Sequence, residues 1–247
     1  MEGRVVLVTG GSRGIGKAIS LRFAQEGSKL FINFFQDRGT AERTAQEATM
    51  KGAEVFPLQA DLKDPEQIRG MFDEVRRLFG RVDVLVHNAA SGVLRWTVDL
   101  TAKHWDWVMA TNARSLLLCA REAASAMQSG GRIISLSSIG AARVIPQYGA
   151  IGVSKAALEC LTRYLAVELA PKGISVNALS AGAVATDIWN MIPDGQEVLD
   201  RVRERTPSGR LLAAEDVAEI VYFLASPQAE MIQGQVIVVD GGYSLLA

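Results

Sequence analysis

The sequence predicts an α/β domain, a doubly wound sheet of seven parallel strands with helices on both faces. Three observations predict it. Short apolar runs alternate with helix-length stretches along all 247 residues, the rhythm of βαβ units. Most runs are apolar at nearly every position, as strands covered on both faces must be. A glycine-rich turn separates the first run from the first helical stretch.

The expected strands are Val5–Val8, Leu30–Phe34, Glu54–Leu58, Val82–His87, Arg132–Leu136, Ser175–Leu179 and Val236–Val239. The expected helices cover about 14–27, 40–51, 65–79, 101–127, 148–171 and 215–225. Asp64-Pro65 marks the third helix start, an N-cap followed by proline in the first turn. Asp61-Leu62 closes the third strand. The rhythm breaks at 187–213, which carries Trp189, Met191, Ile192, Pro193, Pro207 and Gly209 without a clear strand. That segment reads as a lid over a substrate site. No repeat or interdomain linker divides the chain, so residues 1–247 form one domain.

Composition narrows the function classes. A formal net charge of -1 leaves no basic face of the kind nucleic acid needs. Two isolated cysteines, Cys119 and Cys160, make neither a disulfide framework nor a zinc site, and read as buried free thiols. His87 and His104 are too scattered to ligate a metal. No apolar run approaches the roughly 18 residues of a spanning helix. The first strand begins near Arg4, without space for a signal peptide, which points to the cytoplasm.

Val5-Val-Leu-Val-Thr-Gly-Gly-Ser-Arg-Gly-Ile-Gly16 carries the first site. Gly10, Gly14 and Gly16 let the backbone approach a pyrophosphate, whose charge suits a helix N-terminus. Set between strand one and helix one, the trio marks a dinucleotide-binding Rossmann fold. An acid at the end of strand two would hold the ribose 2′-hydroxyl of NAD; Phe34 stands there instead. Arg13 and Arg38 suit a 2′-phosphate, so the expected cofactor is NADPH, with Asp37 an unfavourable neighbour.

The second site lies in Tyr148-Gly-Ala-Ile-Gly-Val-Ser-Lys155. A tyrosine and a lysine beside a nicotinamide usually form an acid–base pair with three residues between them. Here that spacing would place the tyrosine at Ile151; the phenol stands at Tyr148, with six residues intervening.

These residues resemble the short-chain dehydrogenase/reductase family along the whole chain. Thr9-Gly-Gly-Ser-Arg-Gly-Ile-Gly16 looks like its glycine motif, with Ser12 and Ile15 as implied cofactor contacts. Asp61, with Leu62, matches its adenine-side acid. His87-Asn88-Ala89-Ala90 matches its Asn-Asn-Ala-Gly stretch except at the first and last positions. Asn112, Ser138 and Lys155 match the asparagine, serine and lysine of its active site. Gly182, Val184 and Thr186 match its nicotinamide-side loop, and Asp240-Gly-Gly242 its closing motif.

The departures are similar to one branch, the enoyl-acyl-carrier-protein reductases. Tyr-x6-Lys, Ser180-Ala-Gly182, Asn88-Ala-Ala-Ser-Gly-Val-Leu-Arg95 and Trp105-Asp-Trp107 bring the chain closest to the type III, NADPH-linked members. The resemblance implies substrate contacts at Ser91, Leu94, Tyr148, Trp189 and Met191. Ser138 departs from that branch, which often carries an aromatic there, and keeps carbonyl reduction open.

The spacing suits the implied chemistry. Carbonyl reduction needs a proton donor one bond from the hydride acceptor. Enoyl-thioester reduction develops its charge two carbons further away, a displacement of about 2.5 Å. Along a helix, offsets of four and seven residues share a face but differ by about 4.5 Å of rise. Tyr148 would donate to the enolate oxygen. Lys155 would hold the ribose and polarise the phenol.

Two further expectations concern partners. Apolar faces on 116–120 and 156–170 call for cover by other subunits, and the family is commonly dimeric or tetrameric; a homotetramer is expected. Arg201, Arg205 and Arg210 are either a dock for an acidic acyl carrier protein or a solvated mixed-charge helix. The competing activities are a carbonyl (3-oxoacyl-type) reductase and a non-catalytic NADP-binding protein.

Overall fold

β1 (Val5–Thr9) is buried at all five positions and forms the sheet's centre. A computed structural model describes residues 3–24, 27–186, 189 and 194–246. From β1 the chain enters α1 (Gly14–Ala24), then β2 (Lys29–Phe34) and α2 (Arg38–Met50). Next come β3 (Glu54–Gln59), α3 (Pro65–Phe79) and β4 (Val84–His87). α4 (Ala102–Met109) and α5 (Ser115–Ala126) precede β5 (Arg132–Ser138). α6 (Gly149–Leu169), β6 (Ser175–Ala181), α7 (Gly195–Arg205), α8 (Ala214–Leu224) and β7 (Val236–Val239) complete the domain.

All seven strands pair in parallel, in the order β3-β2-β1-β4-β5-β6-β7. The expected doubly wound sheet is therefore present, and the order reverses between β1 and β4, where such sheets open a crevice at their carboxyl ends. Pro57 sits in β3, an edge strand, where its missing N–H breaks no central ladder. Two apolar layers cover the sheet. One packs β1, β4 and β5 side chains against α3, α5 and α6 through Leu7, Phe72, Leu116 and Leu158. The other packs Val6, Val8, Phe23, Ile134 and Val221 under α1 and α8.

Local chemistry sets the boundaries. Asp37 accepts from Thr40 N, so α2 begins two residues earlier than its apolar pattern suggests. Asp64 caps α3 and Gly80 ends it in the left-handed region. The expected helix over 101–127 is interrupted by a π-helical turn, 110–114, centred on Asn112. Such turns admit one extra residue, and apolar periodicity alone does not reveal them. The segment 187–213 contains α7, and its neck is closed by Val184–Leu212 pairing and by Ala185 N donating to Leu212 O at 3.0 Å. Cys119 is buried, its thiol pushed up to about 12 by burial and then by the Glu122 charge, but Cys160 is exposed on the outer face of α6. No helix among the described residues is long and apolar enough to cross a membrane.

Candidate active site

The crevice over β1 and β4 opens as a cavity of about 690 Å³. Gly10, Ser12, Arg13, Gly14, Ile15 and Gly16 line one wall; Asp61, Leu62, Asn88, Ala89, Ser91 and Thr186 line others. The glycine turn is pressed against the end of β4. A Cβ on Gly10 would lie 3.0 Å from Ala89 Cα. A Cβ on Gly16 would strike the Gly10 carbonyl and stand 2.6 Å from Asn88 Nδ2. Asn88 fixes this approach by donating to Thr9 O at 3.0 Å and Gly10 O at 3.1 Å. The cradle, with the α1 N-terminus behind it, fits the pyrophosphate of a nicotinamide dinucleotide.

The cavity is also lined by Phe34, Phe35, Gln36, Asp37 and Lys63, with the Arg13 charge close enough to act on Asp37. Asp37 is drawn into the α2 cap, its two oxygens on Thr40 N (2.9 Å) and Thr40 Oγ1 (2.6 Å). Those bonds to Thr40 hold its carboxyl below the usual range, as do the Arg43 and Arg13 charges. Arg38 departs from expectation. It does not line the cavity; its guanidinium lies 5.7 Å from the Phe34 ring and reaches Gln59 Oε1 at 3.4 Å and Glu42 at 3.8 Å. Lys63 joins Arg13 as a cation lining the wall, 3.2 Å from Asp61. Its signal is its place two residues after Asp61.

Asn112 is fully buried in the π turn. Its Oδ1 accepts from Ser91 N at 2.9 Å, and its Nδ2 donates to Ser91 O and Ser154 Oγ, each at 2.9 Å. It therefore ties the β4 loop to α6. Lys155 is buried one helical turn beyond Ile151, and its Nζ donates to Leu136 O at 2.6 Å. Burial pushes its ammonium down to about 8, with Glu159 acting the other way. Nearby, His87 Nε2 lies 2.7 Å from Ser115 Oγ. The Ser115 hydroxyl spends its proton on Thr111 O, so Nε2 must be the donor and Nδ1 a buried acceptor without a hydrogen-bond partner among the described residues. Burial, then the Lys155 charge, pushes the imidazole down to about 3, which keeps it neutral.

Tyr148 is the N-cap residue of α6 and half-buried. Burial pushes its phenol up, while a side-chain hydrogen bond with Ser138 pulls it down. Ser138, at the end of β5, accepts from Gly140 N at 3.2 Å. Tyr148 also lines a smaller hollow of about 350 Å³ with Trp96, Val144, Ile145, Val153 and Ala156. The structure therefore brings Tyr148 to Ser138, and Asn112 to Ser91 and the Lys155 helix.

Other expected contacts are dispersed. Leu94 is 42% exposed and lines neither hollow. Gly182 and Val184 stand behind the cavity wall: Gly182 N donates to Val239 O, and Val184 O accepts from Trp189 Nε1 at 2.8 Å. Met191 lies outside the described residues. Trp107 lines the cofactor cleft with Thr111. On α7, Arg203 pairs with Asp200 at 3.0 Å, and Arg210 reaches Asp216 at 2.7 Å. Among the described residues no group of three His, Cys, Asp or Glu side chains could hold a metal ion.

Comparison with known proteins places this geometry. A family model described as enoyl-(acyl carrier protein) reductase matches residues 10–244. The 1-cyclohexenylcarbonyl-CoA reductase of Streptomyces collinus is 39% identical over 250 residues, covering 99% of this chain and 88% of that protein. An NADPH-dependent aldehyde reductase-like chloroplastic protein of Arabidopsis thaliana is 36% identical, covering 98% and 95%. A short-chain dehydrogenase of Burkholderia cenocepacia, solved in complex with NADP, superposes with a TM-score of 0.90 at 35% identity, covering 98% of both chains. With its seven-stranded sheet, glycine cradle and matching relatives, the chain belongs to the short-chain dehydrogenase/reductase family, and it is an oxidoreductase built around a nicotinamide cofactor.

Proposed function

We propose that this chain reduces the trans-2 double bond of enoyl thioesters with NADPH, preferring acyl chains borne on acyl carrier protein. One observation carries the reading: the phenol beside Lys155's helix is Tyr148, at the N-cap of α6, while Ile151 occupies the family's usual position. The bound nicotinamide supplies a hydride for C3 of the substrate. Tyr148 donates a hydrogen bond to the thioester oxygen as negative charge gathers there, two carbons from C3. Ser138 orients that phenol. Lys155 carries a positive charge at neutral pH beside the cofactor ribose, and Asn112 holds the β4 loop against its helix. C2 then takes up a proton.

Arg13 and Lys63 facing one end of the cleft support NADPH over NADH. The similarity to a protein named for a 1-cyclohexenylcarbonyl thioester supports a conjugated alkene as the acceptor. With Arg203 and Arg210 already in ion pairs, Arg201 is the α7 cation offered to an acidic carrier. The lid expected over 187–213, of which residues 187, 188 and 190–193 lie outside the described residues, is assigned as the cover of the substrate site. Leu117, Tyr164 and Val167, exposed on α5 and α6, are the faces that assemble the chain as a cytoplasmic homotetramer. Carbonyl reduction is the second reading, favoured by Ser138 beside the phenol.

The deciding experiment follows NADPH absorbance with crotonyl and longer enoyl thioesters, and with acetoacetyl thioester in parallel. Oxidation with the enoyl substrates supports the proposal. Oxidation with acetoacetyl alone makes the chain a carbonyl reductase, and binding of NADPH without turnover makes it a non-catalytic NADP-binding protein.

A further inference from the structure

The Tyr148 ring rests on a residue without a side chain. Its Cε1 and Cδ1 stand 2.6 and 2.7 Å from where a Cβ of Gly140 would be. Gly140 is itself backed by α6, because a Cβ on Gly152 would stand only 2.6 Å from the Gly140 carbonyl oxygen. The short helical turn at 139–141 is therefore clamped between the ring and the helix, with no slack on either side. The backbone that delivers the ring is also pinned. Gln147 takes a left-handed φ of 63°, unusual for a residue with a side chain. Its carbonyl accepts from Arg95 N at 2.8 Å, and Arg95 pairs with Tyr148 across an isolated bridge. Tyr148 O accepts from Gly152 N at 2.7 Å. At the usual position, Ile151 points at Gly92 and fills the space beside it, so that any Cβ on Gly92 would overlap its Cγ1 and Cδ1.

We propose that Gly140 is a positioning residue for the reduction: it is the seat that sets the Tyr148 hydroxyl at its displaced place, while Ile151 against Gly92 fills the other. This rests on the enoyl-reductase reading for its meaning, and on the packing alone for its geometry. A methyl on Gly140 cannot be absorbed by backing the 139–141 turn into α6. The ring must move instead, by about 1 Å, to restore ordinary carbon–carbon separation. A misplacement of that size at a reacting group lowers turnover by about 100-fold.

The test uses the full chain as wild type, Gly140→Ala, Tyr148→Phe and the double variant. Turnover is measured on enoyl and acetoacetyl thioesters, NADPH affinity by nucleotide fluorescence, and the Tyr148 phenol by ultraviolet titration assigned from its loss in Tyr148→Phe. Gly140→Ala is expected to lower kcat about 100-fold, to leave the NADPH Kd within about twofold, and to change kcat by less than about threefold in the Tyr148→Phe background. The phenol titration should shift in Gly140→Ala as the ring leaves its seat, because its burial and its approach to Ser138 both change. An unmoved titration overturns the proposal whatever the kinetics, as does an equal kcat loss in both backgrounds. If wild type fails on enoyl thioesters, the activity reading falls while the titration still decides the seat. Should Gly140→Ala unfold, pairing it with Tyr148→Ala restores Tm if the methyl meets the ring, and leaves it low if the methyl meets backbone.

Discussion

Replacing Lys155 by methionine should make the protein more stable at neutral pH while removing its cofactor grip. Lys155 is 5% exposed, and burial pushes its ammonium from the ordinary 10.5 down to about 8. The fold thus favours the neutral amine by about 3 kcal/mol, a cost present wherever the group is charged, below about pH 8. Methionine fills a similar space without charge. It leaves Leu136 O without its donor, which costs about 1 kcal/mol. The variant should gain about 2 kcal/mol at pH 7. Between pH 8 and 10.5 the unfolded wild-type chain holds a proton that the fold has released, so wild-type stability rises with pH there. The variant has no such dependence, and its lead should shrink by about 2 kcal/mol between pH 7 and 9.5. Urea unfolding of both proteins at the two pH values reads it directly. A lead that does not change with pH would refute the argument that Lys155 is charged at a cost to the fold. Wild-type turnover should fall as pH rises through about 8, where the ribose loses its positive partner.

Three further outcomes follow from the geometry. Asn112→Ala strands Ser91 N–H, Ser91 C=O and a bond to Ser154; urea unfolding should show a loss of about 2 kcal/mol. Gly16→Ala drives a methyl into the Gly10 carbonyl, and fluorescence titration should find NADPH binding abolished. Reversing Arg13 and Lys63 to glutamate should raise the KM for NADPH at least about tenfold while changing that for NADH little; equal effects on both would remove the 2′-phosphate assignment.

The fold was legible because its rule is repeated. The inner β runs are buried on both faces, so Val5–Thr9 and Ser175–Ala181 declare themselves by unbroken apolarity or small size, whereas the edge strands β3 and β7 are only partly covered. Helix ends were legible where a side chain marks them, as Asp64 and Gly80 do for α3. The π turn at Asn112 was not legible. Its cause is a side chain bonded across to Ser91 and Ser154, partners 21 and 42 residues away that no local pattern connects. The placement of Arg38 and Lys63 was not legible for a related reason. Both are cations near the expected ribose, and only their neighbours decide which faces the cleft: Gln59, Glu42 and Phe34 hold Arg38 outside, while Asp61 holds Lys63 at the wall.

The spacing from Tyr148 to Lys155 was legible as a departure, and the structure gives it a physical form. A helical offset argument places the two residues on one face, but Tyr148 caps α6 rather than belonging to its regular turns, so the rise per residue does not set where the hydroxyl lies. Its location is set instead by contacts distant in sequence: Arg95 on the preceding backbone, Gly140 under the ring and Ser138 at the phenol. Ile151 completes the arrangement from inside the helix by filling the space against Gly92. Two glycines and one isoleucine thus carry as much of the displacement as the tyrosine does. A chain keeping Tyr148 but bearing a side chain at position 140 would show the same spacing and lack the same site.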